Sequence, residues 1–193
     1  METQEIYELT IKNMICSRCM KVVRQDLEAL GIELLQLKMG KIKFRFNNKK
    51  TTIEDIKKVL EMDEFEFVKD KDEMISEEIK LALIELVKNL PLDRAKNLSD
   101  FLVEKLHRDY WTLSKTFSKT EGVTIQRYFI LLRIEKAKEL IEYEQMNFSE
   151  IAYELGYQNI YGLSAQFKQE AGISMSEYKK LKNHLRTPFD KII

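Results

Sequence analysis

The C-terminal half of this 193-residue chain repeats itself at an offset of 50 residues, and that register constrains the fold more tightly than any other feature. Ser99 aligns with Ser149, Phe101 with Ile151 and Glu104 with Glu154. The same ungapped register pairs Leu113 with Leu163, Ser114 with Ser164, and Phe117 with Phe167. It closes on Gly122 with Gly172, Val123 with Ile173, Thr124 with Ser174, and Tyr128 with Tyr178. Such self-similarity marks a duplicated structural unit. In each copy a serine, Ser99 or Ser149, is expected to cap a short helix through its hydroxyl. Asp109 or Asn159 then caps a second helix, on which Leu113/Phe117 or Leu163/Phe167 lie i,i+4 on one inward face. Gly122 and Gly172 stand where such a helix ends in a left-handed residue. Two short helices joined by a tight turn make a helix-turn-helix, whose second helix is shaped to enter a DNA major groove. Between the copies, Ile125 to about Tyr143 reads as one long helix with a broad apolar face of Tyr128, Leu131, Leu132, Ile134, Ala137, Leu140 and Ile141. It would hold the two units at a fixed separation.

The segments YWTLSKTFSKTEGVTIQRYFILLRIEKAKELI and FSEIAYELGYQNIYGLSAQFKQEAGISMSEYKK closely resemble the DNA-binding domain of AraC-type transcription regulators, over about residues 98–180. The second is the more specific, with its Ile-Ala-x-x-x-Gly-Tyr and Phe-Lys-x-x-x-Gly-x-Ser runs. The resemblance implies seven helices and two recognition helices reading successive major-groove segments on one DNA face. With the core residues inward, helical geometry turns Trp111, Thr112, Ser114, Lys115, Tyr161, Ser164 and Ala165 toward the groove, and Lys119 and Lys168 are phosphate candidates. Three departures bear on base specificity. Met175 stands where the family usually has proline, Lys179 where arginine is common, and Ala165 where a polar or basic residue is frequent.

The first 72 residues follow a different pattern. Tyr7, Leu9 and Ile11 alternate with polar residues as a half-buried strand does. Met20, Val23, Leu27 and Leu30 recur at helical spacing up to Gly31, and Leu35 and Leu37 suggest a second strand. Ile42, Phe44 and Phe46 mark a third strand, Ile53, Ile56 and Leu60 a second helix, and Phe65 and Phe67 a last strand. The order βαββαβ predicts a small α+β, ferredoxin-like domain, so the fold class is that domain followed by an all-α tandem helix-turn-helix domain. The sequence MICSRC occupies the loop after the first strand and runs into the first helix. Order and motif are similar to heavy-metal-associated domains, across about residues 4–70, and the resemblance implies that Cys16 and Cys19 bind a soft ion such as Cu(I). Thiolates are soft ligands, and a helix N-terminus lowers a thiol pKa. Tetrahedral zinc would need ligands this loop lacks. Met14 reads as a core plug. Asn13 and Glu64 stand where that family commonly has glycine, and Phe65 where it places an aromatic or lysine near the metal. A dimerisation or ligand module that merely keeps its cysteines, or a redox pair, are the other readings.

Composition narrows the rest. Lys+Arg and Asp+Glu both number 32. The first 72 residues hold 14 of each and the remainder 18 of each, so DNA binding must rest on pattern rather than bulk charge. No apolar run approaches a bilayer span, and the first residues lack the basic and apolar stretches of a secretory signal. A cytoplasmic protein without a membrane partner is the expectation. Two cysteines this close form no disulfide framework. His107 and His184 have no catalytic or ligand partner in the sequence and read as solvated surface. No phosphate-cradling loop or nucleophile elbow appears, so the chain is not read as an enzyme. The expected organisation is residues 1–72, a connecting amphipathic helix within 73–91, and a DNA-binding domain over 92–186. The apolar stripe from Ile75 to Leu90 is a candidate homodimer seam, as is the N-terminal domain, though docking on either domain suits it better. The reading is a regulator that binds double-stranded DNA, controlled by a soft metal ion at Cys16 and Cys19. Its rival is a soft-metal carrier or scavenger whose helical bundle serves assembly.

Overall fold

A computed structural model describes residues 4–47, 51–181 and 186–193. His184 lies outside the described residues. The chain divides into two compact units, residues 1–81 and 82–193.

In the first unit, β1 (Gln4–Lys12), α1 (Ser17–Ala29), β2 (Glu33–Lys38), β3 (Lys41–Asn47), α2 (Ile53–Met62) and β4 (Glu66–Val68) follow in that order. The four strands make one antiparallel sheet, ordered β2-β3-β1-β4. Period-2 alternation puts Ile11, Ile42, Phe44 and Phe46 into a core with Val23 and Leu27 of α1 and Ile56 and Leu60 of α2. The rings of Tyr7, Phe44 and Phe46 meet across β1 and β3 at 5.1 to 5.9 Å between centroids. Met14 is wholly buried in this core, as its reading as a plug requires. The second strand differs from its expected facing. The pairing register shifts between Leu34 and Gln36. A bulge there leaves Leu35 at the surface, 39% exposed, while Leu34 and Leu37 pack against the core. Asn13 (φ 66°) and Glu64 (φ 62°) are both left-handed. The two are tied together by the Asn13 side-chain amide, which donates to the Glu64 carbonyl at 2.7 Å. The two corners flanking β1 and β4 thus have the backbone shape that glycine adopts most easily. Gly40, in the turn between β2 and β3, is left-handed at φ 72°, so a side chain there would be strained and would also displace the Leu81 side chain.

The helix α3 (Lys71–Lys88) begins in the first unit and ends in the second. The second unit continues with α4 (Leu98–Leu106), α5 (Tyr110–Glu121), α6 (Ile125–Tyr143), α7 (Phe148–Glu154), α8 (Ile160–Ala171) and α9 (Met175–Lys179). A single 3-10 turn, Phe189–Lys191, follows. The repeat is realised in packing as well as sequence. Phe117 of α5 meets Tyr128 at 5.6 Å between ring centroids, and Phe167 of α8 meets Tyr178 at 5.5 Å.

The expected broad face of α6 is in fact two faces. Its first half buries Ile125, Tyr128, Phe129 and Leu132, and its second half buries Ile134, Ala137 and Ile141. At 3.6 residues per turn these groups point in directions roughly 160° apart. Tyr128 meets α5, whereas Ile134, Ala137 and Ile141 share a core with Leu163 and Phe167 of α8.

The helix caps also correct the sequence reading in part. Asp109 and Asn159 cap α5 and α8 as expected, accepting from the amides of Thr112 and Gly162, and Gly122 and Gly172 end those helices in left-handed conformations. Ser99 and Ser149, however, already lie inside α4 and α7. The N-caps are Asn97 and Asn147, themselves 50 residues apart. Asn147 wins because its Oδ1 reaches two amides, those of Ser149 and Glu150, while the Glu150 carboxylate returns to the Asn147 amide at 2.7 Å. That reciprocal box satisfies more free donors than a serine two residues later can. Asn97 makes no such side-chain bond. Asn147→Ala should therefore cost about 1 kcal/mol of stability in urea unfolding. Ser149→Ala should stay within about 0.5 kcal/mol. The reverse order would return the cap to the serine.

Candidate nucleic-acid interface

Each helix-turn-helix is built by the same local chemistry. In the first, α4 ends at His107, which is exposed and left-handed at φ 53°, and two residues later Asp109 starts α5. In the second, α7 is followed by Gly156, left-handed at φ 73°, and Asn159 starts α8. The turn of the second unit is pinned from outside, as the Leu92 amide donates to the Glu154 carbonyl at 2.8 Å.

On both second helices the inward residues are the expected ones: Leu113, Phe117, Leu163 and Phe167 are fully buried. The opposite faces are open. Trp111 is 70% and Tyr161 81% exposed, Lys115, Lys119, Ala165 and Lys168 are exposed, and Thr112, Ser114 and Ser164 are half-buried. The Lys115 ammonium lies 4.8 Å from the centre of the Trp111 ring, so a cation and a flat apolar surface share the start of α5. Gln169, also exposed, follows Ala165 by four residues on α8 and extends its open face. Sequence reading passed over it, although the i,i+4 spacing was visible.

Two long-range pairs were not legible in the sequence. Arg127 of α6 grips Glu170 of α8 with both terminal nitrogens, the Nη2–Oε2 distance being 2.6 Å. That pairing raises the Arg127 pKa and fixes α8 against the linking helix. The Arg133 guanidinium lies 4.2 Å from the Tyr157 ring centre, and the Tyr157 hydroxyl donates to Gln166. Burial pushes the Tyr157 hydroxyl up and the Arg133 guanidinium down. Several cations are spent within the fold. Lys136 pairs with Glu139, Lys138 with Glu135 at 2.6 Å, and Arg186 with Glu139 at 3.2 Å.

The cysteines lie in the first unit. Cys16 caps α1, its sulfur accepting from the Cys19 amide at 3.3 Å, and the two sulfurs are 2.9 Å apart. Both are half-buried. Burial and the neighbouring Cys16 thiol raise the Cys19 pKa, so the net effect opposes the lowering expected of a helix start. Phe65 and Met14 belong to the core against which Cys19 packs. Among the described residues no group of three or more His, Cys, Asp or Glu gathers as metal ligands. No helix there is long and apolar enough to cross a membrane.

Residues 102–181 match the sequence model of a family described as a helix-turn-helix domain. The match runs from inside α4 to just beyond α9 and so takes in both second helices. Among solved structures, the C-terminal domain of AraT, a response regulator from Geobacillus stearothermophilus, is similar at 21% identity and a TM-score of 0.49, covering 57% of this chain and 87% of that one. A DNA-binding transcriptional dual regulator from Escherichia coli K-12 gives 18% identity and a TM-score of 0.46, over 53% and 89% of the two chains. The DNA-binding domain of AdpA, a global transcriptional factor, in complex with a target DNA gives 19% identity and a TM-score of 0.44, over 54% and 88%. No curated protein matches the chain. Over residues 102–181 the family match and the geometry agree on a helix-turn-helix domain, and the geometry shows two such units in tandem.

The division of each second helix into inner and outer faces has a direct test. Leu113→Ala and Leu163→Ala should each cost about 2–5 kcal/mol in urea unfolding. Trp111→Ala and Tyr161→Ala should stay within about 0.5 kcal/mol. A large loss at either aromatic would mean that it belongs to the core.

Proposed function

We propose that this chain is a sequence-specific, DNA-binding transcription regulator of the AraC type, whose helices α5 and α8 read successive major-groove segments of double-stranded DNA. One observation carries the reading: two helix-turn-helix units, each with an open outer face on its second helix, share one unbroken linking helix. At 19 residues α6 is about 28 Å long, commensurate with the ~34 Å of one duplex turn. Trp111, Thr112, Ser114 and Lys115 are the base-facing set of the first unit, and Tyr161, Ser164 and Ala165 that of the second. Lys119 and Lys168, further along each helix, serve the phosphates. Ala165 offers no hydrogen bond, so it suits contact with a thymine methyl.

For the first unit we propose a ferredoxin-like domain of the heavy-metal-associated kind, supported by the element order βαββαβ and the strand order β2-β3-β1-β4. Cys16 and Cys19 would hold one soft ion such as Cu(I). The donor set fits: two thiols converge at one helix start and separate by side-chain rotation to admit an ion, and among the described residues no further ligand cluster favours tetrahedral zinc. A bound ion supplies a fixed loop in place of two thiols. Control of DNA binding follows only where metal favours one arrangement of the chain over another.

Gel-shift selection from random duplexes should enrich a site footprinted across two neighbouring major-groove segments. Absence of any DNA binding would leave the carrier reading, in which the helical bundle serves assembly. Lys115→Ala should cost about 1–3 kcal/mol on the selected site and much less on random DNA if Lys115 reads a guanine. Equal losses would make it a phosphate contact. With few lysines facing outward, log K should fall against log salt with a slope of roughly −4 to −5. A slope near −10 would reveal a dimer or a further basic surface. In a Cu(I) competition titration the reduced protein should bind one ion, and the Cys16→Ser, Cys19→Ser double variant none. Copper should then shift affinity for the selected site several-fold, and unchanged affinity would separate the metal site from DNA control.

A further inference from the structure

The second unit contains a cavity of about 160 Å³ that the DNA-binding reading does not use. Leu92, Leu98, Phe101, Phe129 and Leu155 form its apolar wall, and Arg133 lines it from α6. Arg133 is the unusual member. Its guanidinium is half-buried, 4.9 Å from the centre of the Phe129 ring, and no carboxylate among the described residues pairs with it. Its terminal nitrogens reach only neutral acceptors, the Leu155 carbonyl at 3.5 Å and the Gln166 side chain at 3.3 Å. Its Nε is buried with no hydrogen-bond partner among the described residues. A guanidinium taken this far from water ordinarily has an anion beside it.

The other charged residues around the cavity do not supply that anion. Asp93 is the one acid lining it, and its carboxylate is engaged by the Ala95 amide at 2.8 Å. Arg94 and Lys96 add further positive charge, Arg94 stacking 4.4 Å from the Tyr153 ring centre and Lys96 pairing with Glu104. The size is also informative. An apolar cavity of about 150 Å³ holds one benzene ring.

We propose that this cavity is a binding site for a small aromatic monocarboxylate, its ring against Phe101 and Phe129 and its carboxylate on the Arg133 guanidinium. A fork of donors matches a carboxylate in two parallel bonds, and two aromatic rings provide the flat walls that a single ring fills. The walls come from α4 of the first helix-turn-helix, from α6, and from the turn after α7 in the second. An occupant therefore touches both helix-turn-helix units and favours one mutual orientation of α5 and α8 over others. That consequence rests on the DNA-binding reading, whereas binding itself does not.

Calorimetric titration of the full chain with benzoate, without DNA, tests the site. Saturable one-to-one binding is expected, with the neutral isostere benzamide at least tenfold weaker. Inorganic phosphate should not displace benzoate. Arg133→Gln should weaken benzoate at least tenfold while leaving benzamide unchanged. Because Arg133 also stacks on Tyr157, a second variant, Leu98→Trp, fills the cavity and keeps the guanidinium. It should abolish binding of both compounds with the thermal transition retained. Equal affinity for benzoate and benzamide, displacement by phosphate, or unaltered binding to folded Leu98→Trp would each overturn the proposal. Gel shifts with and without benzoate then read the coupling separately.

Discussion

The second unit depends on one helix being apolar on two opposite sides. A helix that serves a single core carries one apolar stripe. In α6 the stripe changes side between Leu132 and Ile134, so the first half belongs to α5 and the second half to α7, α8 and α9. Two small bundles, each too small to hold a substantial core alone, gain a shared wall in this way. Because the wall is one continuous hydrogen-bonded rod, the separation of the two bundles is set by covalent geometry. The Arg127–Glu170 grip adds an angular restraint, as it spans from the start of α6 to the last turn of α8. Glu170 is almost fully enclosed but Arg127 is 44% exposed, so the pair acts as a geometric restraint and keeps part of the screening that weakens surface pairs.

The duplication was legible in the sequence because it is written in residues that geometry leaves little choice about. A left-handed helix end calls for glycine, and Gly122 and Gly172 stand there. The residue under the following aromatic must fill a fixed gap, hence Phe117 with Tyr128 and Phe167 with Tyr178. The exact helix starts were less legible, since Asn147 and Ser149 both belong to good capping types. Their contest is settled by the reciprocal reach of Glu150, a three-dimensional fact. Leu35 failed for a similar reason. Alternation assigns faces only while register holds, and one bulged residue reverses every assignment before it.

The candidate site was legible in outline and illegible in its charges. Inner and outer faces of α5 and α8 follow from period alone, and they lie where period puts them. The partners of Arg127 and Arg133 do not, because residues 43 and 33 positions apart meet through tertiary packing. No local pattern marks Arg133 as a cation with neutral neighbours. The same limit applied to Cys19. Its place at a helix start suggested a lowered pKa, but burial against the Met14 and Phe65 core outweighs the first-turn amides.

A neutral composition is compatible with the DNA partner proposed above once charges are placed rather than counted. Several acids of the second unit are matched with cations inside the fold. Glu135 and Glu139, both on α6, bind Lys138, Lys136 and Arg186, and so consume cations that a bulk count would have offered to DNA. The recognition helices carry one acid each, Glu121 in the last turn of α5 and Glu170 next to the end of α8, and Glu170 is held by Arg127. Their first two turns contain Lys115 and no acid, and the exposed Lys168 follows on α8. Local potential falls off within a Debye length, about 8 Å in physiological salt. A phosphate near α5 therefore meets Lys115 and hydroxyls beside the Asp109 cap, and one near α8 meets the Ser164 hydroxyl and, further along, Lys168, while Glu135 and Glu139 are occupied by cations on α6. The same arrangement keeps long-range attraction weak, which agrees with the sequence-specific binding proposed above better than with adhesion to any duplex.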